Sequence, residues 1–356
     1  MQFGRFLTAA ACLAAVICFP VSAFAETSTP HHHHGKTADP VKKHKKAGAE
    51  KSARKPDVAR PEKTAKSPHE SKVSGKRHAA RPRRVVAAGA LTGGPQLRSA
   101  AYLVQDLQTG EILLQKNAED VQPMASLTKL MTAMVVLDAR QNMEEVLEVT
   151  EDDVDHLKNS TSHLTVGSRL TRRELLHLAL MASENRAASA LARNYPGGMH
   201  AFLAAVNAKA GKLGLRSTHY DDATGLNKGN VSSARDLAII VDNAARYPMI
   251  HEFSTSTEQT VELKGGEQRT FHNTDALVKS AHWNIDVSKT GHITESGQCL
   301  VIKTHLVNRN LAIVLLNSQT TSTRLTDAIR VRQWLEASPH DIGQNRETVA
   351  VRRSRA

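Results

Sequence analysis

A serine and a lysine three residues apart, Ser126 and Lys129, are the first pair whose types and spacing could do chemistry. They begin an apolar stretch, and residues three apart on a helix share a face, so the hydroxyl and the amine come within mutual reach. A serine hydroxyl is a weak nucleophile until a base takes its proton, and a neutral lysine is such a base. Because a lysine pKa is ordinarily about 10.4, we expect burial and a neighbouring cation to lower that of Lys129.

Two further runs would complete an acyl-transfer site without a catalytic histidine. Ser183 and Asn185 form a Ser-x-Asn pair, and Lys289 begins a Lys-Thr-Gly run. Each run alone occurs by chance in many proteins, but all three in this order on suitable elements are specific. We predict that Lys289 is the cation beside Lys129 and attracts a substrate carboxylate. We predict that Ser183 relays a proton to the leaving group and that Asn185 holds a substrate amide.

The strand that carries the third run is predicted to bind the substrate. The backbone N–H groups of Ser126 and His292 are the expected donors to the oxyanion. Gly291 has no side chain, so together with Thr290 it lets an extended substrate lie against the strand edge. A helix start at Ser126 adds a dipole that favours negative charge on its oxygen.

Each of these residues also has a purely structural interpretation. Ser126 could be a helix N-cap with Lys129 exposed, Ser183 and Asn185 could end a helix, and the Lys-Thr-Gly run could end a strand. The joint occurrence of all three runs favours catalysis, because the structural interpretation requires three independent coincidences.

The pattern around the motifs predicts the elements that position them. Apolar residues at helical spacing predict a helix from Ser126, and Thr171 with Glu174 forms a capping box that opens another helix ending near Met181. The Ser183 motif then lies on a helix-to-helix turn. Further helices are expected over about 186–194, 198–212 and 233–246 (stopped by Pro248), with a turn over 221–225 and a loop-rich insertion over 141–169 that contains a possible short hairpin.

Strand patterns lie at both ends of this region. A hairpin over 101–104 and 111–114 precedes the helices, strands over 260–263, 268–271, 285–290, 298–306 and 310–316 follow them, and an amphipathic helix over 325–335 closes the domain. This order predicts an α+β fold in which helices flank an antiparallel five-stranded sheet and a helical lobe forms the cleft. The three motifs are expected to line that cleft.

The first 25 residues are typical of a secretory signal peptide. A positive residue, Arg5, precedes the apolar stretch 6–19, and Ala-Phe-Ala at 23–25 is a small-x-small cleavage site. The apolar stretch is short for a membrane span, which leaves an uncleaved anchor as the less favoured alternative. We therefore expect a periplasmic protein. After cleavage Cys299 is the single thiol, so the protein would form no intramolecular disulfide.

Residues 26–97 are predicted to be a disordered basic segment. From 36 to 84 there are 17 Lys or Arg residues against 5 Asp or Glu, a net charge of +12 that equals the net charge of the entire chain. Such a segment is a solvated spacer or an electrostatic tether to cell wall or an anionic membrane surface; export argues against nucleic acid. The run His31–His34 could bind a metal, although low-complexity drift explains it more simply. Residues 98–338 would form the catalytic domain and 339–356 a polar basic tail.

The motif residues resemble those of the serine DD-peptidases, the low-molecular-mass penicillin-binding proteins, across about 98–338. The resemblance is strongest to their D-alanyl-D-alanine endopeptidase branch. It is carried by the segments 178–188, 194–198, 233–237 and 283–285. The basic segment lies outside it, and the amphipathic carboxy-terminal anchor of longer carboxypeptidase relatives is not recognisable.

The resemblance implies a β-lactamase/DD-peptidase-like fold and a periplasmic hydrolase of peptidoglycan stem peptides. Ser126 would be acylated by a D-alanyl carbonyl, or by a β-lactam, with Lys129 as base, Ser183 as relay and Lys289 as substrate ligand; no metal or organic cofactor is implied. A cross-link endopeptidase is preferred to a carboxypeptidase that trims pentapeptides, and a non-enzymatic wall-binding or penicillin-sensing protein is a further alternative. A class A β-lactamase is disfavoured because no glutamate between Asn185 and Lys289 has an asparagine four residues on.

Overall fold

The computed structural model describes residues 94–337; the predicted signal peptide, most of the basic segment and the carboxy-terminal tail lie outside the described residues. Within this range the strands are β1 (Ala101–Asp106), β2 (Ile112–Lys116), β3 (Gln122–Pro123), β4 (Val146–Glu148), β5 (Arg169–Thr171), β6 (Val231–Ser232), β7 (Glu258–Glu262), β8 (Gln268–His272), β9 (Ile285–Ile293), β10 (Gly297–Leu306) and β11 (Arg309–Ser318). The α-helices are α1 (Lys129–Asp138), α2 (Arg172–Met181), α3 (Asn185–Arg193), α4 (Gly198–Lys212), α5 (Ala234–Ala244), α6 (Pro248–Thr255) and α7 (Thr321–Ala337).

Five antiparallel strands form the central sheet in the order β2-β1-β11-β10-β9. The amino-terminal hairpin therefore joins the carboxy-terminal strands, with Ala101 opposite Leu316. Strand β9 lies at one edge of this sheet, and Val301 of β10 faces Lys289 across the ladder. The predicted five-stranded sheet is confirmed, and its edge strand carries the Lys-Thr-Gly run.

Side chains alternate across the sheet and so build two apolar clusters. Leu103, Val301 and Val314 pack on one face with the helices α1 to α6, while Leu300 and Ile313 pack on the other face with α7. This period-two pattern is that of strands buried on both faces. The active-site helices thus stand on one side of the sheet and α7 closes the other.

Most of the expected helices form, and the capping box at Thr171 is present. Glu174 N donates to Thr171 Oγ1 at 3.1 Å, and Thr171 N donates to the Glu174 carboxylate at 2.8 Å, which satisfies two N–H groups at the start of α2. The insertion is closed by β4 and β5, which pair with each other. No helix among the described residues is long and apolar enough to span a membrane.

One local prediction was wrong, and a second differs from the structure in detail. Pro248 does not stop a helix: α5 already ends at Ala244, and Pro248 is the first residue of α6. Proline is accepted at that position because the missing N–H has no partner inside the helix. The helix predicted to begin at Ser126 starts with a 3-10 turn, Ala125–Thr128, and becomes an α-helix at Lys129.

Candidate active site

The predicted nucleophile and base lie in direct contact at the start of α1. Ser126 belongs to the 3-10 turn, Lys129 is the first α-helical residue, and Lys129 Nζ is 2.8 Å from Ser126 Oγ. Ser126 is not an N-cap residue, since Met124 precedes the 3-10 turn and Thr128 precedes α1, and Lys129 is only 1% exposed. The purely structural interpretation of this pair, a capping serine beside an exposed lysine, is therefore wrong.

Two carbonyl oxygens hold the amine of Lys129. Nζ donates to Asn185 Oδ1 at 2.8 Å and to the backbone oxygen of Thr224 at 2.7 Å. Neither oxygen can donate a proton, so both accept hydrogens from the amine. A neutral amine has two hydrogens and one lone pair. With both hydrogens engaged, the lone pair points towards the remaining partner, Ser126 Oγ.

Burial lowers the pKa of Lys129 to about 7, although the carboxylates of Asp222 and Glu184 act in the opposite direction. The sequence predicts that the positive charge of Lys289 lowers the pKa of Lys129. In the structure the charge effect between the two lysines lowers the pKa of Lys289 instead. The pKa of Lys289 is lowered by burial first and then by the positive charges of Lys129 and Arg324, against the carboxylate of Asp275. Burial is thus what makes Lys129 available as a neutral base near neutral pH.

Ser183 lies in the turn between α2 and α3 with a positive φ of +62°, a backbone region that residues other than glycine seldom adopt. Lys289 Nζ donates to Ser183 Oγ at 2.9 Å and to the backbone oxygen of Thr290 at 3.0 Å. The turn is fixed by Glu184, whose carboxylate accepts from Ser162 Oγ at 2.6 Å. Strained backbone that surrounding contacts enforce is typical of functional sites.

Asn185 has a different neighbourhood from the one expected. Its Oδ1 accepts from Lys129, and its Nδ2 donates to Ser160 Oγ at 3.0 Å. Ser160 in turn donates its N–H to the carboxylate of Asp155 at 2.8 Å. Both ends of the amide therefore bond to protein groups, which orient the amine of Lys129. Binding of a substrate amide by Asn185 stays a prediction.

The turn that contains Thr224 is the part of the site that sequence reasoning missed. The carboxylate of Asp222 accepts from the N–H groups of Thr224 at 2.8 Å and Asn227 at 2.8 Å, which directs the Thr224 carbonyl towards Lys129. Gly225 has a φ of +86°, and a Cβ there would lie 1.9 Å from the backbone oxygen of Ala125. The sequence predicts only a turn for this Asp-x-Thr-Gly pattern.

Replacing Asp222 with asparagine is expected to move the acidic limb of the acylation rate to lower pH. The carboxylate raises the pKa of Lys129, so its removal lets the amine stay neutral at lower pH. Single-turnover acylation by a fluorescent penicillin from pH 5 to 9 measures the shift. Asp221→Asn is the matched control, because Asp221 bonds to His219 at 2.9 Å and should leave the profile in place. An unshifted profile in Asp222→Asn would contradict this electrostatic account.

The Lys-Thr-Gly strand passes directly beside Ser126. A Cβ on Gly291 would be 3.0 Å from both Ser126 N and the backbone oxygen of Met124, so a side chain there would crowd the turn. Thr290 Oγ1 donates to Thr274 Oγ1 at 2.7 Å, and His292 is exposed. The structure thus brings every predicted site residue from Ser126 to Gly291 into one cluster. The oxyanion role of the Ser126 and His292 N–H groups remains a prediction.

Arg324 on α7 is a second residue that the sequence did not reveal. It is buried, and its Nη1 donates to the backbone oxygen of Cys299 at 3.4 Å on β10, the strand next to β9. Its charge contributes to the lowered pKa of Lys289. A single arginine in a polar helix carries no motif that would mark it. No group of three or more His, Cys, Asp or Glu side chains within 94–337 is arranged to hold a metal ion.

Comparison with known proteins identifies the family. A family profile described as D-alanyl-D-alanine carboxypeptidase, peptidase S11, matches residues 88–320. The chain belongs to this family. A D-alanyl-D-alanine endopeptidase of Pseudomonas aeruginosa is 43% identical over 242 residues, which cover 68% of this chain and 78% of the relative. One from Escherichia coli is 39% identical over 251 residues, covering 70% and 81%.

The fold is shared with the solved structure of a DD-transpeptidase. The Streptomyces K15 DD-transpeptidase is 28% identical, with a TM-score of 0.64 over 68% of this chain and 99% of that one. The resemblance to the DD-peptidases and the α+β fold expected from the sequence are therefore confirmed. Membership of the family also excludes the class A β-lactamase alternative.

Proposed function

We propose that the protein is a serine D-alanyl-D-alanine endopeptidase that cuts cross-links between peptidoglycan stem peptides and is acylated by penicillin. The observation that carries this proposal is the amine of Lys129, which lies 2.8 Å from Ser126 Oγ and donates to Asn185 Oδ1 and the Thr224 carbonyl oxygen. The two curated relatives described above carry the same activity in their names. The alternative is a D-alanyl-D-alanine carboxypeptidase, the activity that names the family.

Acylation begins when Lys129 takes the proton of Ser126. The Oγ atom forms a bond to the D-alanyl carbonyl carbon, and the resulting oxyanion accepts from the N–H groups of Ser126 and His292. Ser183, in contact with Lys289, gives its proton to the leaving nitrogen as the carbon–nitrogen bond breaks, and the proton held by Lys129 is passed back to Ser183, so that Lys129 is neutral again. Water then attacks the ester while Lys129 takes its proton. Lys129 returns this proton to Ser126 Oγ as the ester bond breaks and the acid is released.

Lys289, Thr290 and Gly291 bind the substrate in this scheme. The substrate lies in an extended conformation along β9, which is an edge strand of the five-stranded sheet. Lys289 and Thr290 are on the side of the leaving group, where a carboxylate of the departing residue would lie. A cross-link and a terminal D-alanine share the acyl donor and differ only in this leaving group, so both reactions use the same serine.

Mass spectrometry of purified muropeptides tests the proposal, with Ser126→Ala as the inactive control. Cross-linked dimers that fall to monomers only with active protein would establish the endopeptidase. Loss of terminal D-alanine alone would establish the carboxypeptidase. If neither product forms, the non-enzymatic wall-binding or penicillin-sensing alternative gains support.

The chain organisation expected from the sequence belongs to the same proposal. A signal peptide over 1–25 would deliver the protein to the periplasm, 98–338 would form the catalytic domain, and 339–356 a basic tail. There the enzyme would take part in cell-wall remodelling and cell shape. The compositional support is the net charge of +12 between 36 and 84, opposite in sign to free carboxylates of the cell wall.

Removal of the basic segment is expected to weaken sedimentation with purified sacculi at low salt. A form that begins at Val85 lacks the +12 segment and loses its attraction to the anionic wall, whereas 0.5 M salt should remove the difference by screening. Penicillin acylation serves as the control, because both forms keep the catalytic residues. Equal sedimentation of the two forms at low salt would contradict the electrostatic tether.

A further inference from the structure

A polar cavity of about 490 Å³ lies at the end of the central sheet where β9 begins. Three segments form it: Gln108 in the turn between β1 and β2, Asn284 just before β9, and residues 305–310 around the turn between β10 and β11. A backbone hydrogen bond of 2.9 Å from His305 N to the oxygen of Asn284 holds two of these segments together. None of the steps described above uses this cavity.

Four side-chain amides line the cavity, those of Gln108, Asn284, Asn308 and Asn310. None of these amides forms a hydrogen bond with another group of residues 94–337. The Oδ1 atom of Asn310 is also buried, and polar atoms that are shielded from water are normally paired. The cavity therefore offers donors and acceptors that a ligand would satisfy.

The two ionisable side chains of the cavity are already paired. His305 Nε2 lies 2.9 Å from the carboxylate of Asp286, and Arg309 Nη1 lies 2.9 Å from that of Asp106. The groups left for recognition are amides, each of which both donates and accepts. Such a set suits an uncharged ligand that is rich in hydroxyl and amide groups, which is the chemistry of an acetylated amino sugar.

The turn between β10 and β11 at the rim of the cavity has an unusual sequence. Leu306 pairs with Arg309, so Val307 and Asn308 are the two central residues, and their φ angles are +47° and +59°. Turns of this type usually contain glycine, and a β-branched residue with a positive φ is rare. Both side chains line the cavity, where glycine would supply none. Backbone strain of this kind is typical of functional sites.

The cavity lies on the leaving-group side of the proposed reaction. Asn284 precedes Lys289 by five residues, and a strand that rises about 3.3 Å per residue separates them by about 16 Å. The leaving amine of a cross-link belongs to a second stem peptide (the leaving stem), which is attached to a second glycan strand. A diamino side chain and three residues, each spanning about 3.5 Å, cover this distance. The second glycan strand is thus within reach of the cavity.

We propose that this cavity binds the amino-sugar glycan that carries the leaving stem. The amides of Asn284, Asn308 and Asn310 bond to its hydroxyl and acetamido groups, and Val307 packs against a sugar ring. The inference rests on the proposed peptidase function, because it assigns a subsite to the second strand of a cross-link. A terminal D-alanine brings no second strand, so the subsite favours cross-links over pentapeptide ends.

Three synthetic cross-linked dimers with identical peptides test the subsite: one with a disaccharide on both stems, one on the donor stem only, and one on the leaving stem only. We expect kcat/KM of the full-length protein to be about tenfold higher for the two dimers that have sugar on the leaving stem. Two hydrogen bonds of ordinary net strength account for about this factor.

A double variant, Asn284→Ala with Asn308→Gly, should reduce kcat/KM for those two dimers to the value of the dimer with donor sugar only. Glycine suits the positive φ of residue 308, and the contacts of Asn284 are made by its backbone, so folding and penicillin acylation should be unchanged. Asn117→Gly is the matched control. Asn117 is also exposed with a positive φ of +50°, but it follows β2 at the other end of the sheet, so this variant should retain the preference.

Binding of peptide-free glycan chains to full-length Ser126→Ala protein, with and without the double substitution, separates the subsite from the reaction. Binding that the double substitution abolishes supports the subsite even if no dimer is hydrolysed, an outcome that would count against the peptidase function alone. Equal kcat/KM for the three dimers, a preference for sugar on the donor stem, or a preference that survives in the double variant would each overturn the proposal. With no hydrolysis of any dimer, glycan that binds both proteins equally, or neither, would also overturn it.

Discussion

Replacing Lys129 with methionine is expected to slow acylation of Ser126 by penicillin about 10²- to 10⁴-fold, the range that a positioned general base contributes. Methionine has a similar length and suits a buried site, so it fills the space but has no lone pair basic enough to take the serine proton. It also leaves Asn185 Oδ1 and the Thr224 carbonyl without their donor. Single-turnover labelling with a fluorescent penicillin measures the rate.

The control for this variant is Lys209→Met. Lys209 pairs with Asp138 at 2.7 Å, in a surface ion pair outside the active-site cluster, so its removal should leave acylation within about twofold of the parent. Thermal unfolding of both variants separates chemistry from folding. Acylation of the Lys129 variant at the rate of the parent would show that another group is the base.

The same lysine sets the expected pH dependence of the parent protein. Below about pH 7 the amine of Lys129 is protonated and cannot accept the serine proton, so the acylation rate should fall about tenfold for each unit of pH below that value. Above it the rate should level off. A rate that is independent of pH between 5 and 9, or that rises only near pH 10, would contradict the assignment of Lys129 as the neutral base.

Replacing Gly225 with alanine is expected to lower the free energy of unfolding by about 2–6 kcal/mol and to abolish acylation. The left-handed φ of +86° costs an alanine roughly 1–3 kcal/mol, and overpacking adds about 1–3 kcal/mol. The clash is with backbone, since a Cβ would lie 1.9 Å from the oxygen of Ala125 and 2.9 Å from Ser126 N. Relief of the clash must therefore move the nucleophile. Denaturant unfolding and penicillin labelling measure the two effects.

Gly110→Ala is the matched control for this variant. Gly110 has a similar φ of +74°, but no atom lies within 4 Å of the position that its Cβ would occupy. It should show only the backbone penalty, about 1–3 kcal/mol, with unchanged acylation. If the two variants were equally stable and equally active, close packing of the Thr224 turn against Ser126 would not be a requirement of the site.

The parts of the site that the sequence predicted well are those whose geometry is local. The spacing of Ser126 and Lys129 on one helix fixes their contact, and the end of α2 fixes the turn that carries Ser183. The alternation of apolar residues similarly fixed the strands of the sheet, including the edge strand that carries Lys289. Short-range rules suffice for such features, because the backbone geometry of one element decides them.

The missed parts depend on contacts between distant segments. Thr224 acts through its backbone carbonyl, which every residue type has, so no side chain marks it. Arg324 reaches the active-site strand only because α7 packs on the sheet, a tertiary arrangement with no local signal. Pro248 was misplaced for a different reason: proline both ends helices and begins them, and the sequence did not show that α5 had ended at Ala244.

The partners of Lys129 come from three separate segments, the turn at Ser126, the start of α3 at Asn185 and the Thr224 turn. In an unfolded chain Asn185 and Thr224, 56 and 95 residues away along the sequence, are not held near Lys129, and the lysine has its ordinary pKa of about 10.4. At neutral pH Lys129 is then protonated, so Ser126 has no base and cannot be acylated at an appreciable rate. The chain can hydrolyse a substrate only after folding has brought these three segments together. The catalytic base is therefore a product of folding and does not exist in the unfolded chain.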